Sequence, residues 1–127
     1  PESMQHSILK SKIHRARITD AHLDYEGSLS IDLDLMAAAG IVGGERLLVV
    51  NATCGSRLET YAIPAEAGSG TICLNGAAAR LGQPGDVVTI MTFALIDDDE
   101  LDTHEPKVII LNAQNAVIET KAGPRPR

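Results

Sequence analysis

The sequence predicts a small, mainly β protein, built as a compact barrel with two or three short helices. Three observations lead to this fold class. The chain has 127 residues, which suits one domain. Its hydrophobic residues make up 44% of the total and include no Trp, one Phe and two Tyr, so the core must be aliphatic. Its apolar segments are short, rich in β-branched residues and separated by turn motifs such as Pro84-Gly85-Asp86.

The predicted strands follow one another with short connections. Residues 4–18 form a basic extended segment. Strict alternation along it would place Lys12, His14 and Ala16 on one face, and Ile13, Arg15 and Arg17 on the other. A polar connection over residues 19–26 follows. Further strands are predicted over residues 29–33, 46–50, 57–63, 71–74, 87–96, 107–111 and 116–119.

Two short helices and a single domain complete the predicted organisation. Asp34 is expected to cap the first helix, and Gly40 stands where a left-handed residue would end it. The second helix is an Ala-rich segment over residues 77–81. The domain spans residues 4–119. Residues 1–3, before Met4, are interpreted as a leftover of expression or processing, and residues 120–127 as a flexible tail.

Composition and motifs disfavour several classes of function. The formal net charge of −6 argues against a nucleic-acid partner, because phosphate binding depends on Lys and Arg. No apolar segment could span a bilayer and no signal peptide opens the chain, so we expect a cytoplasmic protein with no membrane partner. Cys54 and Cys73 match no metal or redox spacing, the four His are scattered, and no metal is expected. No nucleotide-binding motif occurs, and the acidic segment 97–100 is interpreted as a solvated loop.

A candidate self-cleavage site follows the polar connection, in the segment Tyr25-Glu26-Gly27-Ser28. The Ser28 hydroxyl can attack the adjacent Gly27 carbonyl carbon, and glycine permits the unusual torsions that this attack needs. Attack gives an ester, elimination leaves dehydroalanine, and hydrolysis leaves a pyruvoyl group at the new N-terminus. The dipeptide alone is weak evidence, because Gly55-Ser56 and Gly68-Ser69 repeat it and an ordinary turn explains all three.

Four separated motifs give this dipeptide its context. They are Lys12-Ile13-His14-Arg15, Leu23 to Ser28, Arg57 to Ile63, and Asn75-Gly76-Ala77-Ala78-Ala79. Their order and spacing, over about residues 4–116, resemble those of the pyruvoyl-dependent aspartate 1-decarboxylases (aspartate alpha-decarboxylases). The resemblance implies a double-psi β-barrel and a homotetramer with active sites at the subunit interfaces.

The resemblance also implies a reaction. The amine of L-aspartate would form a Schiff base with a pyruvoyl group, the covalent cofactor derived from Ser28 after cleavage between Gly27 and Ser28. Loss of CO2 and protonation would give β-alanine, which feeds pantothenate and coenzyme A biosynthesis. Thr60 would hydrogen-bond to the carbonyl under attack, and Tyr61 would be the proton donor.

Cations are expected for the two carboxylates of aspartate. Arg57 offers a planar fork suited to bidentate binding, and Lys12 offers a second charge. Ala77 and Ala78 would contribute backbone groups where the second helix begins. The remaining residues that the resemblance assigns to the site are His14, Tyr25, Asn75 and Gly76.

Two other functions stay open at this point. One is a non-catalytic small-molecule-binding or assembly module on the same barrel, with Gly27-Ser28 as an uncut turn. The other is a pyruvoyl decarboxylase of a different amino acid, although Arg57 together with Lys12 favours a diacid. Whether this chain is cleaved, and whether cleavage requires a maturation factor, is also open.

Overall fold

The computed structural model describes residues 4–127, and the prediction for residues 1–3 lies outside these described residues. Residues 4–127 form a small, mainly β barrel, which confirms the predicted fold class. This range contains one α-helix, α1 (Leu33–Ala39), and two 3-10 helices, Gly76–Arg80 and Asp98–Glu100. None of these helices is long and apolar enough to cross a membrane. The strands of the same range are β1 (Gln5–Arg17), β2 (Asp20–His22), β3 (Ser28–Asp32), β4 (Arg46–Asn51), β5 (Arg57–Ala65), β6 (Ile72–Asn75), β7 (Val87–Asp97), β8 (Lys107–Leu111) and β9 (Val117–Ala122).

The strands are hydrogen-bonded in the order β2-β6-β3-β5-β4-β7-β1-β8-β9. Most neighbours are antiparallel, but β1 pairs in parallel with β8, β3 with β5, and β2 with β6. Parallel neighbours cannot be joined by a tight turn, so these pairs bring together segments that are remote in sequence. In particular, β3, which begins at Ser28, lies between β5 and β6. Segments that carry separate sequence motifs therefore become neighbours.

The core is aliphatic, as the composition predicts. The largest fully buried side chains are all Ile, Leu, Val or Met, and they come from β1, β3, β4, β6, β7, β8 and α1. Each such side chain stabilises the fold by about 1.5–3 kcal/mol relative to an exposed position. The Phe and the two Tyr of the sequence, Phe93, Tyr25 and Tyr61, are all exposed instead. Aromatic side chains are thus reserved for the surface of this barrel.

The prediction that side chains alternate strictly along β1 is wrong beyond Ile13. A β-bulge shifts the pairing with β7 between Ile13 and Ala16, and both of these side chains are fully buried. Arg15 takes up the extra residue, with a φ of 63°. Ala16 therefore faces the core and does not share a face with Lys12 and His14. Those two half-buried side chains flank Ile13 and lie on the outer face of the strand.

Several element boundaries differ from the predicted ones, and three of the differences change the organisation of the chain. β9 runs to Ala122, beyond the predicted end at Glu119, so residues 120–122 belong to the sheet and not to the tail. All six side chains of β9 are exposed, and such an edge strand shows no apolar alternation. β2 lies inside the predicted polar connection, where its pairing with β6 holds it. The second helix is a 3-10 helix that begins at Gly76.

The cap of α1 is Asp32, so the prediction of Asp34 as the capping residue is wrong. Asp32 Oδ1 accepts hydrogen bonds from the backbone N–H groups of Asp34 at 2.8 Å and Gly68 at 3.0 Å, and Oδ2 accepts one from Gly70 at 2.8 Å. Burial alone would raise the pKa of this carboxyl, but the backbone donors outweigh burial and hold the pKa below its usual value. Gly40 ends the helix with a φ of 75°, as predicted. Asp32 therefore ties the start of α1 to the turn before β6.

We expect Asp32→Ala to destabilise the protein by about 1–3 kcal/mol, because several backbone N–H groups lose their acceptor. Chemical denaturation measures the loss, and Asp34→Ala, which removes a carboxylate that does not cap, is the control. The folded state lowers the pKa of Asp32, so its stabilisation is present above the unfolded pKa and is lost as pH falls through the folded pKa. The difference between the two variants should accordingly shrink in acid. Equal losses at neutral pH would contradict the assignment.

Candidate active site

The hydroxyl of Ser28 is held in place at the start of β3. β3 pairs with β6 so that Ser28 lies opposite Asn75, and both side chains are buried. Asn75 Nδ2 donates to Ser28 Oγ at 3.0 Å, and the Ser28 hydroxyl donates to the Glu26 carbonyl oxygen at 3.4 Å. These two contacts fix the oxygen of Ser28 next to the peptide bond that joins this residue to Gly27.

Gly76 allows two backbone segments to approach closely at this peptide bond. It has a φ of 67° and follows Asn75 directly. A Cβ atom on Gly76 would lie 2.6 Å from the Gly27 nitrogen, and 2.7 Å from both the Gly27 Cα and the Tyr25 carbonyl oxygen. Contacts this short with backbone atoms are not tolerated, so only glycine fits. The motif Asn75-Gly76 therefore does more than start a helix, because its first residue holds Ser28 and its second receives the backbone of Gly27.

A cleft of about 870 Å³ opens beside Ser28. Its lining includes Tyr25, Ser28, Ser30, Cys73 and Asn75. Tyr25, a predicted site residue, is 62% exposed and can move toward a ligand without breaking core packing. The carboxylates that line the cleft belong to Asp20, Asp24 and Glu26, whereas no Lys or Arg of residues 4–127 lines it.

Thr60 and Tyr61 lie on β5, the parallel neighbour of β3. Their ladder begins with Leu29 opposite Ala62. Continued backwards by one and two residues, this register aligns Tyr61 with Ser28 and Thr60 with the residue before it. Tyr61 is 38% exposed and Thr60 is half-buried. Both predicted residues therefore belong to the strand that flanks the Ser28 peptide bond.

Arg57 and His14 belong to one row on the outer face of the sheet. Arg57 on β5 lies opposite Val50 on β4, and Val50 lies opposite Thr89 on β7. The Thr89 hydroxyl oxygen lies 3.5 Å from Nδ1 of His14 on β1. The row therefore crosses four strands and carries a guanidinium at one end and an imidazole at the other.

His14 has a cationic environment. Burial lowers its pKa below the usual value, and the positive charges of Lys12, Arg15 and Lys121 lower the pKa further. Lys12 lies opposite Val108 on β8, and Val108 lies opposite Lys121 on β9. Lys121 was not predicted as part of any site, because it falls in the segment interpreted as a tail.

The predicted site residues thus fall into two groups in one chain. Five of them gather around the peptide bond between Gly27 and Ser28: Gly27, Ser28, Tyr25, Asn75 and Gly76. The 3-10 helix adds Ala77, which is exposed, and Ala78, which is half-buried, directly after Gly76. Lys12, His14 and Arg57 do not line the cleft, and neither do Thr60 and Tyr61.

Among the cleft residues that were not predicted, Ser30 and Cys73 are the two whose side chains contact Asn75. β3 and β6 place Ser30 opposite Cys73, two residues from the pair formed by Ser28 and Asn75. Asn75 Nδ2 donates to Ser30 Oγ at 2.9 Å, and Cys73 Sγ lies 3.3 Å from Asn75 Oδ1. The signal that could have found them is this spacing of two along each strand, which becomes informative only once the strand pairing is known.

The acidic loop gathers the carboxylates of Asp97, Asp99 and Glu100 within 4.8 Å of one another. Asp99 and Glu100 are exposed, and none of the three lines the cleft beside Ser28. Exposed acidic groups of this kind are common without a bound ion. The segment predicted as a solvated loop is instead the end of β7 followed by the 3-10 helix Asp98–Glu100, whose side chains are exposed.

The family model for aspartate decarboxylase matches residues 4–118 of this chain, which is nearly its whole length. The chain belongs to the aspartate decarboxylase family. An aspartate 1-decarboxylase of Moorella thermoacetica is 54% identical over 119 residues, which cover 94% of this chain and 93% of the relative. Those of Bacillus licheniformis and Desulfotalea psychrophila are 51% and 55% identical over 116 residues, 91% of this chain and 91% and 98% of the relatives. The resemblance inferred from the four motifs is confirmed.

We expect Lys12→Gln to raise the pKa of His14, because it removes one of the positive charges that disfavour the imidazolium. NMR titration of the imidazole resonances measures this pKa. The folded state depresses the pKa of His14, so the free energy of unfolding falls as pH decreases from the unfolded pKa toward the folded one. Because the variant brings the two pKa values closer, this fall should extend over a narrower pH range. Lys10→Gln is the control, since Lys10 pairs with Glu45 at 2.6 Å. Equal pKa values in the two variants would refute this electrostatic coupling.

Proposed function

We propose that this protein decarboxylates L-aspartate to β-alanine and CO2, using a pyruvoyl group that it makes from its own Ser28. The observation that carries the proposal is the buried Ser28 hydroxyl, held by Asn75 in a chain of the aspartate decarboxylase family. A serine in an ordinary surface turn would need neither a buried amide partner nor the close approach of Gly76 to Gly27. This arrangement favours self-cleavage over an uncut turn.

Self-cleavage balances with the atoms already present and one water molecule. The Ser28 oxygen forms a bond to the Gly27 carbonyl carbon, the bond from that carbon to the Ser28 nitrogen breaks, and the hydroxyl proton ends on the nitrogen. The ester then loses the Cα proton of Ser28 and releases the Gly27 carboxylate, which leaves dehydroalanine. Its imine tautomer adds water and releases ammonia. A ketone remains next to the carbonyl that is bonded to Leu29.

The surroundings of Ser28 suit a small carbonyl group at this position. Asn75 Nδ2, which now donates to the hydroxyl oxygen, could equally donate to a carbonyl oxygen, and Ser30 offers a second polar neighbour. A pyruvoyl group supplies a ketone that binds an amino-acid amine and accepts the electron pair left by departing CO2. The side chains around it need only bind the substrate, orient it and supply a proton.

Thr60 and Tyr61 are the residues we propose for oxyanion stabilisation and protonation. Thr60 lies two residues before Ala62, which pairs with Leu29, so continuing this register would bring Thr60 beside Gly27, where its hydroxyl would donate to the carbonyl oxygen as negative charge develops there. Tyr61 directly precedes Ala62, which pairs with Leu29, and its side chain is 38% exposed, so it lies on the strand beside Ser28 although it does not line the cleft within one chain. We propose that it donates the proton that replaces CO2.

Recognition of aspartate requires cations that the cleft does not supply. The carboxylates of Asp20, Asp24 and Glu26, which line it, would repel a substrate with two negative charges. We propose that Arg57 binds one substrate carboxylate through its bidentate fork and that Lys12 supplies the second charge. A site with these two cations would suit a substrate with two carboxylates better than an amino acid with one.

We infer that a second copy of the chain brings these cations to the cleft, within a homotetramer. The outer face that carries Arg57 and His14 also exposes Phe93 and Leu95, by 46% and 68%. A partly apolar surface of this kind is typical of a subunit contact. A site shared between copies explains why the nucleophile and the cations occupy different surfaces of one chain. His14 and Tyr25 would then complete its polar lining.

The proposed physiological role follows from family membership. β-Alanine made by this protein would feed pantothenate and then coenzyme A biosynthesis, and we propose a cytoplasmic location. The segment that reaches Ser28, residues 23–27, is exposed and therefore accessible to a maturation factor, if one acts.

We expect Ser28→Ala to remain a single uncut chain that forms no β-alanine, because a methyl group cannot attack Gly27. Intact mass spectrometry before and after warm incubation measures cleavage, and chromatography of the product measures turnover. The unsubstituted chain should split between Gly27 and Ser28, and the larger fragment should carry a carbonyl-reactive N-terminus. Ser69→Ala alters another Gly-Ser dipeptide and should cleave normally. Formation of β-alanine by the uncut Ser28→Ala variant would rule out the pyruvoyl mechanism.

We expect Arg57→Ala to cleave normally but to lose about 100-fold or more in kcat/KM for aspartate, because a substrate carboxylate loses its charged partner. Mass spectrometry and steady-state kinetics on the same sample separate the two steps. Arg125→Ala is the control, because Arg125 pairs at the surface with Glu105 at 3.3 Å. Unchanged turnover in Arg57→Ala would remove this residue from the substrate site.

A further inference from the structure

We propose that Cys73 is a positioning residue for self-cleavage: its thiol donates a hydrogen bond to Asn75 and so fixes the orientation in which the Asn75 amide holds Ser28. The inference rests on the proposed function and extends it to a residue that takes no part in the proposed bond-making and bond-breaking steps. It assigns a role to a buried thiol that the reaction scheme above does not use.

Four polar side chains form one short network on β3 and β6. Cys73 Sγ lies 3.3 Å from Asn75 Oδ1. Asn75 Nδ2 lies 3.0 Å from Ser28 Oγ and 2.9 Å from Ser30 Oγ. Cys73, Ser28 and Asn75 are at most 5% exposed, so water does not compete freely for these contacts. Ser28 Oγ is the only reacting atom in the network.

The two serines fix the orientation of the amide only in part. A hydroxyl can donate or accept, so Ser30 tolerates either the nitrogen or the oxygen of the Asn75 side chain, whereas Ser28 accepts from the nitrogen as long as its own proton stays on the Glu26 carbonyl oxygen, a contact of 3.4 Å. A donor on the opposite side of the amide adds to this preference, because it binds the oxygen. The thiol of Cys73 stands at that position and is a weak donor.

The thiol is protonated when it plays this role. Burial raises the pKa of Cys73, and the negative charge of Asp20 raises the pKa further. The sulfur therefore keeps its proton throughout the neutral range and stays a donor. A thiolate, by contrast, would accept a hydrogen bond and would favour the reversed amide.

A reversed Asn75 amide would disturb the attack on Gly27. Its oxygen would face Ser28, and the hydroxyl proton would turn toward that oxygen and leave its present acceptor, the Glu26 carbonyl. Ser28 would then adopt a different side-chain torsion. Attack forms the bond from Ser28 Oγ to the Gly27 carbonyl carbon and breaks the Gly27–Ser28 peptide bond, so a displaced oxygen reacts more slowly.

The first test follows cleavage of newly synthesised full-length chains by intact mass spectrometry. We expect Cys73→Ala, which has no donor, to cleave about three- to tenfold more slowly than the unsubstituted chain. Cys73→Ser keeps a donor and should stay within about twofold of it. Cys54→Ala removes the other, exposed thiol and should change nothing. Melting temperatures are measured in parallel, and Cys73→Val replaces Cys73→Ala if the latter does not fold.

The second test reads the amide directly and does not depend on cleavage. In chains that are still uncut and keep Ser28, the acceptor of the Asn75 amide, the Asn75 side-chain amide protons should exchange slowly with solvent when residue 73 is Cys or Ser, and faster when it is Ala. A role in packing alone would change the melting temperature without this pattern. Normal cleavage by Cys73→Ala, equal slowing by Cys73→Ser, or unchanged amide exchange would overturn the inference. An uncut unsubstituted chain would instead overturn the proposed function, and the amide exchange alone would then decide the role of Cys73.

Discussion

The pairing of Ser28 with Asn75 is the contact on which the candidate site depends, and the barrel core determines that pairing. Leu29 and Ile31, which alternate with the two serines of β3, are fully buried. A shift of β3 by one residue would expose both of them and turn the serines inward, at a cost of several buried aliphatic side chains, about 1.5–3 kcal/mol each. The aliphatic packing that makes the fold therefore also holds the Ser28 hydroxyl opposite the amide of Asn75.

The second feature on which the candidate site depends is the separation of opposite charges onto two surfaces of the same chain. The cleft carries carboxylates, whereas the outer face of the neighbouring strands carries Arg57, Lys12 and, from the edge strand, Lys121. One chain with this distribution has little attraction for a free dianion in its own cleft, whereas the proposed contact between copies would bring the cationic face of one against the acidic cleft of another. Burial and then the neighbouring cations lower the pKa of His14, so a further positive charge is disfavoured at this position. The protein therefore has a local cationic surface although its formal net charge is −6.

Local sequence patterns predicted the strands well, because short β-branched segments between turn motifs leave few alternatives. These patterns failed where the pairing between strands, and not the alternation of apolar and polar residues, determines which side chains are buried. The bulge at Arg15 turns Ala16 inward, and β9 has no apolar face by which to recognise it. The family resemblance supplied Ser28 and Asn75, yet Cys73 stayed hidden, because its role depends on the pairing of β6 with β3. Similarly, the contact between Gly76 and Gly27 joins two segments that nothing in the local sequence relates.

The partners of the Ser28 hydroxyl indicate which physical effect can drive its chemistry. Within the described residues they are a side-chain amide and a backbone carbonyl oxygen, and neither group is a general base at neutral pH. Catalysis by a tuned base is thus not available from these contacts, unlike in a serine–histidine pair. The remaining contribution is positional: a buried, uncharged network that limits the torsions of one hydroxyl beside a glycine carbonyl. Such a network would increase the rate of attack by orienting the Ser28 hydroxyl. The contribution of each residue in it then depends on how well that residue restricts Asn75, and not on the strength of its own hydrogen bond.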